Sequence, residues 1–232
     1  MIGGTELSNL HYLFHHDYYC NPAKSNEVLT RQSFQASASE IPFAEQSFVL
    51  KTQYPGLLLG LGYPHDDGSG SSEAVKLGCS LDYVSGLPVI PGSTVKGVLR
   101  SLFKRKEAHE YIQALAEKDL DIDALEKELF TEDGEDVFFD AYPVTPGQLL
   151  AFESITPHDE KGLKNPIPIK LLKVRPGVEF LFRFRLKNEE GQQLSVDEKL
   201  KLFEALLMIT GIGAKTNVGF GGLEPGAERG QR

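Results

Sequence analysis

The most regular alternation of apolar and polar positions runs through residues 178–186, where Val178, Phe180, Phe182, Phe184 and Leu186 interleave with Glu179, Leu181, Arg183 and Arg185. A period of two puts those five apolar side chains on one side of a strand. Shorter strand patterns occur in FVLKTQYPG, ended by the Pro55-Gly56 turn, in the buried run LLLGLG that follows it, and in DVFFDAYPV and QLLAFESI. Two segments change to helical spacing. After the break at Pro91-Gly92, with Ser93 or Thr94 as cap, Val95, Val98, Leu99, Leu102 and Phe103 share one face. After Ser195, which forms a capping-box pattern with Glu198, the residues Val196, Leu200, Phe203, Leu207 and Ile209 are expected to face inward. EAHEYIQALAEK and IDALEKELF read as solvated acidic helices. The order strand, helix, strands, helix and Gly-rich return predicts an α+β fold, a mainly antiparallel sheet with two helices packed on one face.

Around that body, residues 1–47 form an aromatic and then Ser/Ala/Gln-rich extension, expected to pack on the body or a partner. Residues 48–232 form one domain with an acidic helical insertion at 107–136, and residues 63–86 read as a turn-rich surface excursion. Hydrophobic residues at 41% and charged residues at 25% exclude a wholly disordered or fibrous chain. No apolar run approaches the roughly 20 residues of a membrane span, and the first residues lack the pattern of a secretion signal. Cys20 and Cys79 match neither a disulfide framework nor a zinc spacing, so a cytoplasmic protein with reduced thiols is expected.

Charge changes the picture more. The net charge of −9 opposes nucleic-acid binding on average, yet twelve acids and two lysines fall between Glu107 and Asp136, and the rest of the chain sums to +1. The segment 94–106 carries five basic residues and no acid, and 161–187 carries eight against Glu179 alone. On a helix, Lys96, Arg100 and Lys104 form a stripe beside Ser93. Near the C-terminus, GIGAKTNVGFGG holds five glycines around Lys215, Thr216 and Asn217. Glycine permits positive φ and lets backbone N–H groups converge on an anion, although a tight connection explains the composition equally well. Lys215 follows no phosphate-loop pattern and the loop leaves a helix rather than a strand, which argues against ATP hydrolysis and dinucleotide binding.

Catalytic candidates are thin. His11, His15 and His16 are of the residue type used in general acid–base chemistry, but an aromatic and histidine packing or partner surface explains them better. His65, Asp66 and Asp67 stand beside GSGSS and read as an exposed turn. Asp82, Asp140 and Glu153 are isolated, His109 falls on an acidic helix, and His158 falls in a loop. No spacing supports a metal site or a two-metal nuclease.

TQYPGLLLGLG at 52–62, LPVIPGSTVKGVLR at 87–100 and GIGAKTNVGFG at 211–221 together resemble the repeat-associated mysterious protein (RAMP) superfamily of CRISPR systems, and within it the Cmr6-like subunits of type III-B effector complexes. That resemblance implies a ferredoxin-like, RRM-related domain whose first helix and Gly-rich loop hold the crRNA backbone without nuclease chemistry or a cofactor. It places the helix motif on Pro91, Gly92, Ser93, Lys96, Gly97 and Arg100. The loop motif falls on Gly211, Gly213, Lys215, Gly219 and Gly221, with Thr216 and Asn217 able to donate to phosphate or sugar. The implied role is closure of the guide's 3′ end. The implied partners are crRNA, neighbouring RAMP backbone and small subunits and, indirectly, single-stranded target RNA, with no membrane. The acidic block is then expected to lie away from the phosphate path. A crRNA-processing endoribonuclease and a protein-interaction module without RNA are the competing readings.

Overall fold

The computed structural model describes residues 9–35, 41–62, 65, 74–131, 136–156, 168–188 and 191–227. Its main sheet is built on two central antiparallel strands, β1 (Gln46–Thr52) and β6 (Glu179–Arg185), with Phe48 opposite Phe182 and Leu50 opposite Phe180. β2 (Val137–Phe138) and β3 (Tyr142–Pro143) pair with β6, and β7 (Leu223–Pro225) pairs with β1, all antiparallel. A separate antiparallel pair, β4 (Leu150–Ile155) and β5 (Ile169–Val174), joins the body through a bridge between Leu57 and Val174. The alternation of residues 178–186 is realised, since all five predicted inward side chains are buried.

Two long helices, α3 (Gly92–Phe103) and α6 (Val196–Thr210), cover the apolar face of the sheet, where Phe138, Phe184 and Phe203 pack ring against ring. The Ser195 and Glu198 capping box starts α6 as expected. Its buried face is rotated from the predicted one: Lys199, Leu202, Phe203, Leu206 and Leu207 lie inside while Ile209 is exposed. The reason is Lys199, fully buried with its Nζ on the Asp136 carboxylate at 3.1 Å and donating to the Lys187 carbonyl at 2.9 Å. A hydropathy reading assigns lysine to solvent, whereas a paired and hydrogen-bonded lysine tolerates the interior.

Three other expectations are corrected. α4 (His109–Ala116) and α5 (Ile122–Phe130) are not solvated helices, because Ile112, Ile122, Leu125, Leu129 and Phe130 enter the main core. LLLGLG is buried at Leu57–Leu59 but forms single bridges and loop hydrogen bonds rather than a strand. The 63–86 excursion turns inward at His65, Val75, Cys79 and Leu81, while residues 63–64 and 66–73 lie outside the described residues. β5, unpredicted, supplies part of the basic 161–187 segment. In the N-terminal extension, α1 (Leu10–His15) and α2 (Pro22–Arg31) send Leu10, Leu13, Phe14 and Leu29 into the same core as the sheet. No helix of the described residues is long and apolar enough to cross a membrane.

Candidate nucleic-acid interface

α3 begins against the sheet. Neither Ser93 nor Thr94 caps it; the cap comes from Asp140, whose carboxylate accepts the Gly92 N–H at 2.7 Å. A Cβ at Gly92 would stand 2.1 Å from the Phe138 carbonyl oxygen, so this approach requires glycine. Tyr142 donates its hydroxyl to Asp82 at 3.2 Å. Burial, together with the nearby carboxylates of Asp82 and Asp140, pushes that phenol up to about 12. Burial alone raises Asp82, but hydrogen bonds from the Ser85 hydroxyl and N–H and from Tyr142 outweigh it and hold the carboxyl below its usual value. Asp140 thus braces the start of α3, and Asp82 ties Tyr142 to the turn at Ser85.

An open groove of about 400 Å³ lies beside that helix start, lined by residues 58–62, Ser80, Pro91, Ser93, Thr94, Gly213 and Ala214. Two segments singled out in the sequence, the start of α3 and the Gly-rich loop, therefore meet across the floor formed by LLLGLG. The loop is fixed at its base: Ala214 N–H donates to the Leu58 carbonyl at 2.9 Å, Ile212 to Gly221 at 2.9 Å and Gly221 to Gly56 at 2.8 Å. Positive φ occurs at Gly211, Gly213, Lys215, Gly219 and Gly221. Residues 216–218 make a 3-10 turn at the exposed tip, with the Lys215 carbonyl accepting from Val218 and Phe220. The N–H groups of Ser93, Gly213, Lys215, Thr216 and Asn217 have no hydrogen-bond partner among the described residues. Of these residues, Ser93 and Gly213 line the groove, and the Asp140 cap consumes part of the positive end of α3.

The three cations are not equivalent. The Lys215 side chain is exposed and unpartnered among the described residues. Arg100 Nε donates to Glu126 of α5 at 2.5 Å, and Lys104 lies 4.0 Å from the same carboxylate. The acidic block thus reaches the basic stripe instead of lying apart from it, because the apolar face of α5 docks α5 beside α3. Lys96 Nζ stands 5.8 Å from the centre of the Phe138 ring. Gly97 is exposed, and a Cβ there would meet nothing within 4 Å, so no internal contact accounts for glycine at this position.

The other candidates among the described residues make packing, hydrogen-bond or ion-pair contacts. His65 is buried, stacked on Phe14 at 3.8 Å, with its ring nitrogens 3.0 Å from the Val75 carbonyl and 2.6 Å from that of Phe14. That corrects the exposed-turn expectation; Asp66, Asp67 and His158 lie outside the described residues. His11 packs on His15 at 4.5 Å, and burial with His11 and His65 nearby lowers the His15 imidazole. His16 stacks on Tyr12. His109 is half-buried against the Phe103 carbonyl, and Glu153 pairs with Lys173 at 2.6 Å. Burial pushes the Cys79 thiol up to about 12. Among the described residues no group of three or more His, Cys, Asp or Glu is placed to hold a metal ion. Sequence reasoning missed the capping role of Asp140, the pairing of Glu126 with Arg100 and the place of LLLGLG as the groove floor, all of which depend on long-range contacts.

The sequence profile of the RAMP superfamily matches residues 49–224. The CRISPR system CMR subunit Cmr6 of Saccharolobus solfataricus is 31% identical over 151 residues, 62% of this chain and 46% of that protein. This chain therefore spans about half the length of that curated relative. Among solved structures, a chain of the type III-B Cmr-beta complex bound to cognate target RNA aligns with TM-score 0.57 and 24% identity, covering 78% of this chain and 58% of that one. The crystal structure of Cmr6 from Pyrococcus furiosus aligns with TM-score 0.49 and 22% identity, covering 78% of this chain and 97% of that one.

Proposed function

The chain belongs to the RAMP superfamily, and from that premise we propose that it is a non-catalytic crRNA-binding subunit of a type III-B Cmr ribonucleoprotein that closes the 3′ end of the guide. The observation that carries this reading is the groove lined by both α3 and the Gly-rich loop, where Ser93 and Gly213, whose N–H groups have no partner among the described residues, form part of the wall, and Lys215 follows Ala214 of that wall in sequence. Such donors hold phosphate oxygens and position a strand without reading its bases. Ser93, Lys96, Gly97, Arg100, Gly211, Gly213, Lys215, Thr216, Asn217, Gly219 and Gly221 form the proposed contact set. Within it, Lys215 and the free N–H groups contribute most, while Arg100 is offset by Glu126. Similarity to Cmr6 supports neighbouring Cmr subunits as partners. A net charge of −9 opposes capture of RNA by the isolated chain, so the partners complete the groove.

The test is reconstitution of a Cmr complex with and without this chain, followed by nuclease footprinting of the guide. Protection of the 3′ region that depends on this chain is expected, with no cleavage of repeat RNA in magnesium or manganese. Cleavage abolished by a point substitution in this chain would establish the endoribonuclease reading instead. Assembly and 3′ protection without this chain would remove the proposed role.

A further inference from the structure

Tyr54 is the most exposed large apolar side chain among the described residues, at 85%, and its turn stands next to the Gly-rich loop. Single exposed aromatics are ordinary on protein surfaces, so position and rigidity have to decide its meaning. The turn that carries Tyr54 is pinned on every side. Gln53 N–H donates to the Gly222 carbonyl at 2.9 Å and Gly56 N–H to Gln53 at 2.8 Å. The Pro55 carbonyl accepts from buried Lys173 at 2.8 Å, and the Gly56 carbonyl accepts from Gly221 at 2.8 Å. The tip of the Gly-rich loop lies alongside, since a Cβ on Gly219 would come within 4.0 Å of the Pro55 ring. Val218, 63% exposed, stands on that same tip. The Tyr54 hydroxyl and ring have no hydrogen-bond or ring partner among the described residues. A backbone held by hydrogen bonds thus presents a bare aromatic ring on the turn that packs against the Gly-rich loop at Gly219, Gly221 and Gly222.

We propose that Tyr54 is the stacking platform for one nucleobase of the single strand whose phosphates the Gly-rich loop holds, an assignment that rests on the RNA reading above. Phosphate donors beside an aromatic ring are the two parts a single-strand site needs: the donors track the backbone, and the ring takes any base by its π-face. The pinned turn lowers the ordering cost of stacking. The site therefore takes unpaired nucleotides and rejects a duplex, whose bases are already stacked on one another. Because Tyr54 contributes nothing to the core, its replacement leaves the fold intact.

The chain contains no tryptophan, so Tyr54→Trp introduces a single indole reporter at this position. The variant is titrated at low salt, where weak capture by the isolated chain is measurable, with a 12-nucleotide oligouridine carrying a terminal dye. A ribose-phosphate oligomer of equal length that lacks bases is titrated in parallel. Dye anisotropy reads binding and indole emission reads stacking. Quenching by oligouridine and not by the abasic oligomer is expected, while Tyr54→Ala weakens oligouridine binding by roughly 5- to 150-fold with an unchanged salt slope. Tyr54→Phe retains parental binding. Anisotropy that shows binding without quenching, or with full affinity in Tyr54→Ala, overturns the stacking assignment and leaves the phosphate reading standing. No binding of either oligomer to the parent or the variant overturns the stacking assignment, and the guide footprint of the reconstituted complex decides the phosphate reading separately.

Discussion

At the scale of single residues, two kinds of glycine separate. Gly213 is held by the fold, because its φ of +89° and a Cβ position 2.5 Å from the Leu58 carbonyl oxygen exclude any side chain. Gly219 has φ +97° but only the Pro55 ring at 4.0 Å, so its constraint is conformational. Gly213→Val is accordingly expected to lower the melting temperature sharply, whereas Gly219→Val keeps a folded core by circular dichroism and loses RNA retention without changing the salt slope. Equal thermal losses in the two variants would contradict this division. Gly97 is the opposite case, a mid-helix glycine with open space before it. Gly97→Ala removes a helix penalty of up to about 1 kcal/mol, so the free protein should melt roughly 2–4 °C higher while RNA retention falls. Retention that rises together with stability would remove Gly97 from the contact set. The spacing of these glycines is legible in the sequence. Which of them face carbonyls and which face solvent is not, because that depends on Leu58 and Pro55 arriving from elsewhere in the chain.

At the scale of elements, α5 decides how much of the α3 stripe is usable. The helical period places Arg100 on an exposed stripe, and the structure puts Glu126 on it at 2.5 Å. Glu126→Gln is expected to strengthen RNA retention by roughly 1.4- to 5-fold, the equivalent of an ion pair worth about 0.2–1 kcal/mol. A weaker complex, measured by filter binding of the reconstituted particle, would contradict it. The two acidic helices look solvated in the sequence because their charges dominate the composition, while the apolar residues that dock them are spread at helical intervals. α6 carries its own pH signature. Glu198 is held down at about 2 from 4.5 by Lys118 first, then by the Ser195 N–H and hydroxyl. With the folded value depressed, this contribution to stability is complete above about pH 4.5 and disappears as the pH falls toward 2. Denaturant midpoints of Glu198→Gln should therefore fall less than those of the parent between pH 5 and pH 3. A parallel fall in both proteins would dissociate the capping box and Lys118 from acid stability. The capping box itself is visible as Ser195 and Glu198, whereas the rotation of α6 around buried Lys199 is hidden in its Asp136 partner, distant in sequence.

At the scale of the whole molecule, a chain of net charge −9 carries the groove proposed to hold phosphate. The groove lies where the start of α3, the LLLGLG segment and the Gly-rich loop converge, and the sheet behind them fixes their separation. Sequence order supplies the three segments and the face on which the helices pack. Their meeting in one groove requires the tertiary pairing of Ala214 with Leu58 and of Gly221 with Gly56. The salt dependence of guide retention tests the proposed phosphate path most directly, measured in the reconstituted complex for the parent, for Lys215→Ala and for the combined Lys96→Ala, Arg100→Ala and Lys215→Ala variant. Each lost phosphate contact on a single strand flattens the slope of log affinity against log salt by roughly 0.7. Lys215→Ala should show about that change, and the triple variant more, with losses that do not depend on RNA sequence. Unchanged retention and slope in the triple variant, at both low and moderate salt, would place the RNA elsewhere on the molecule.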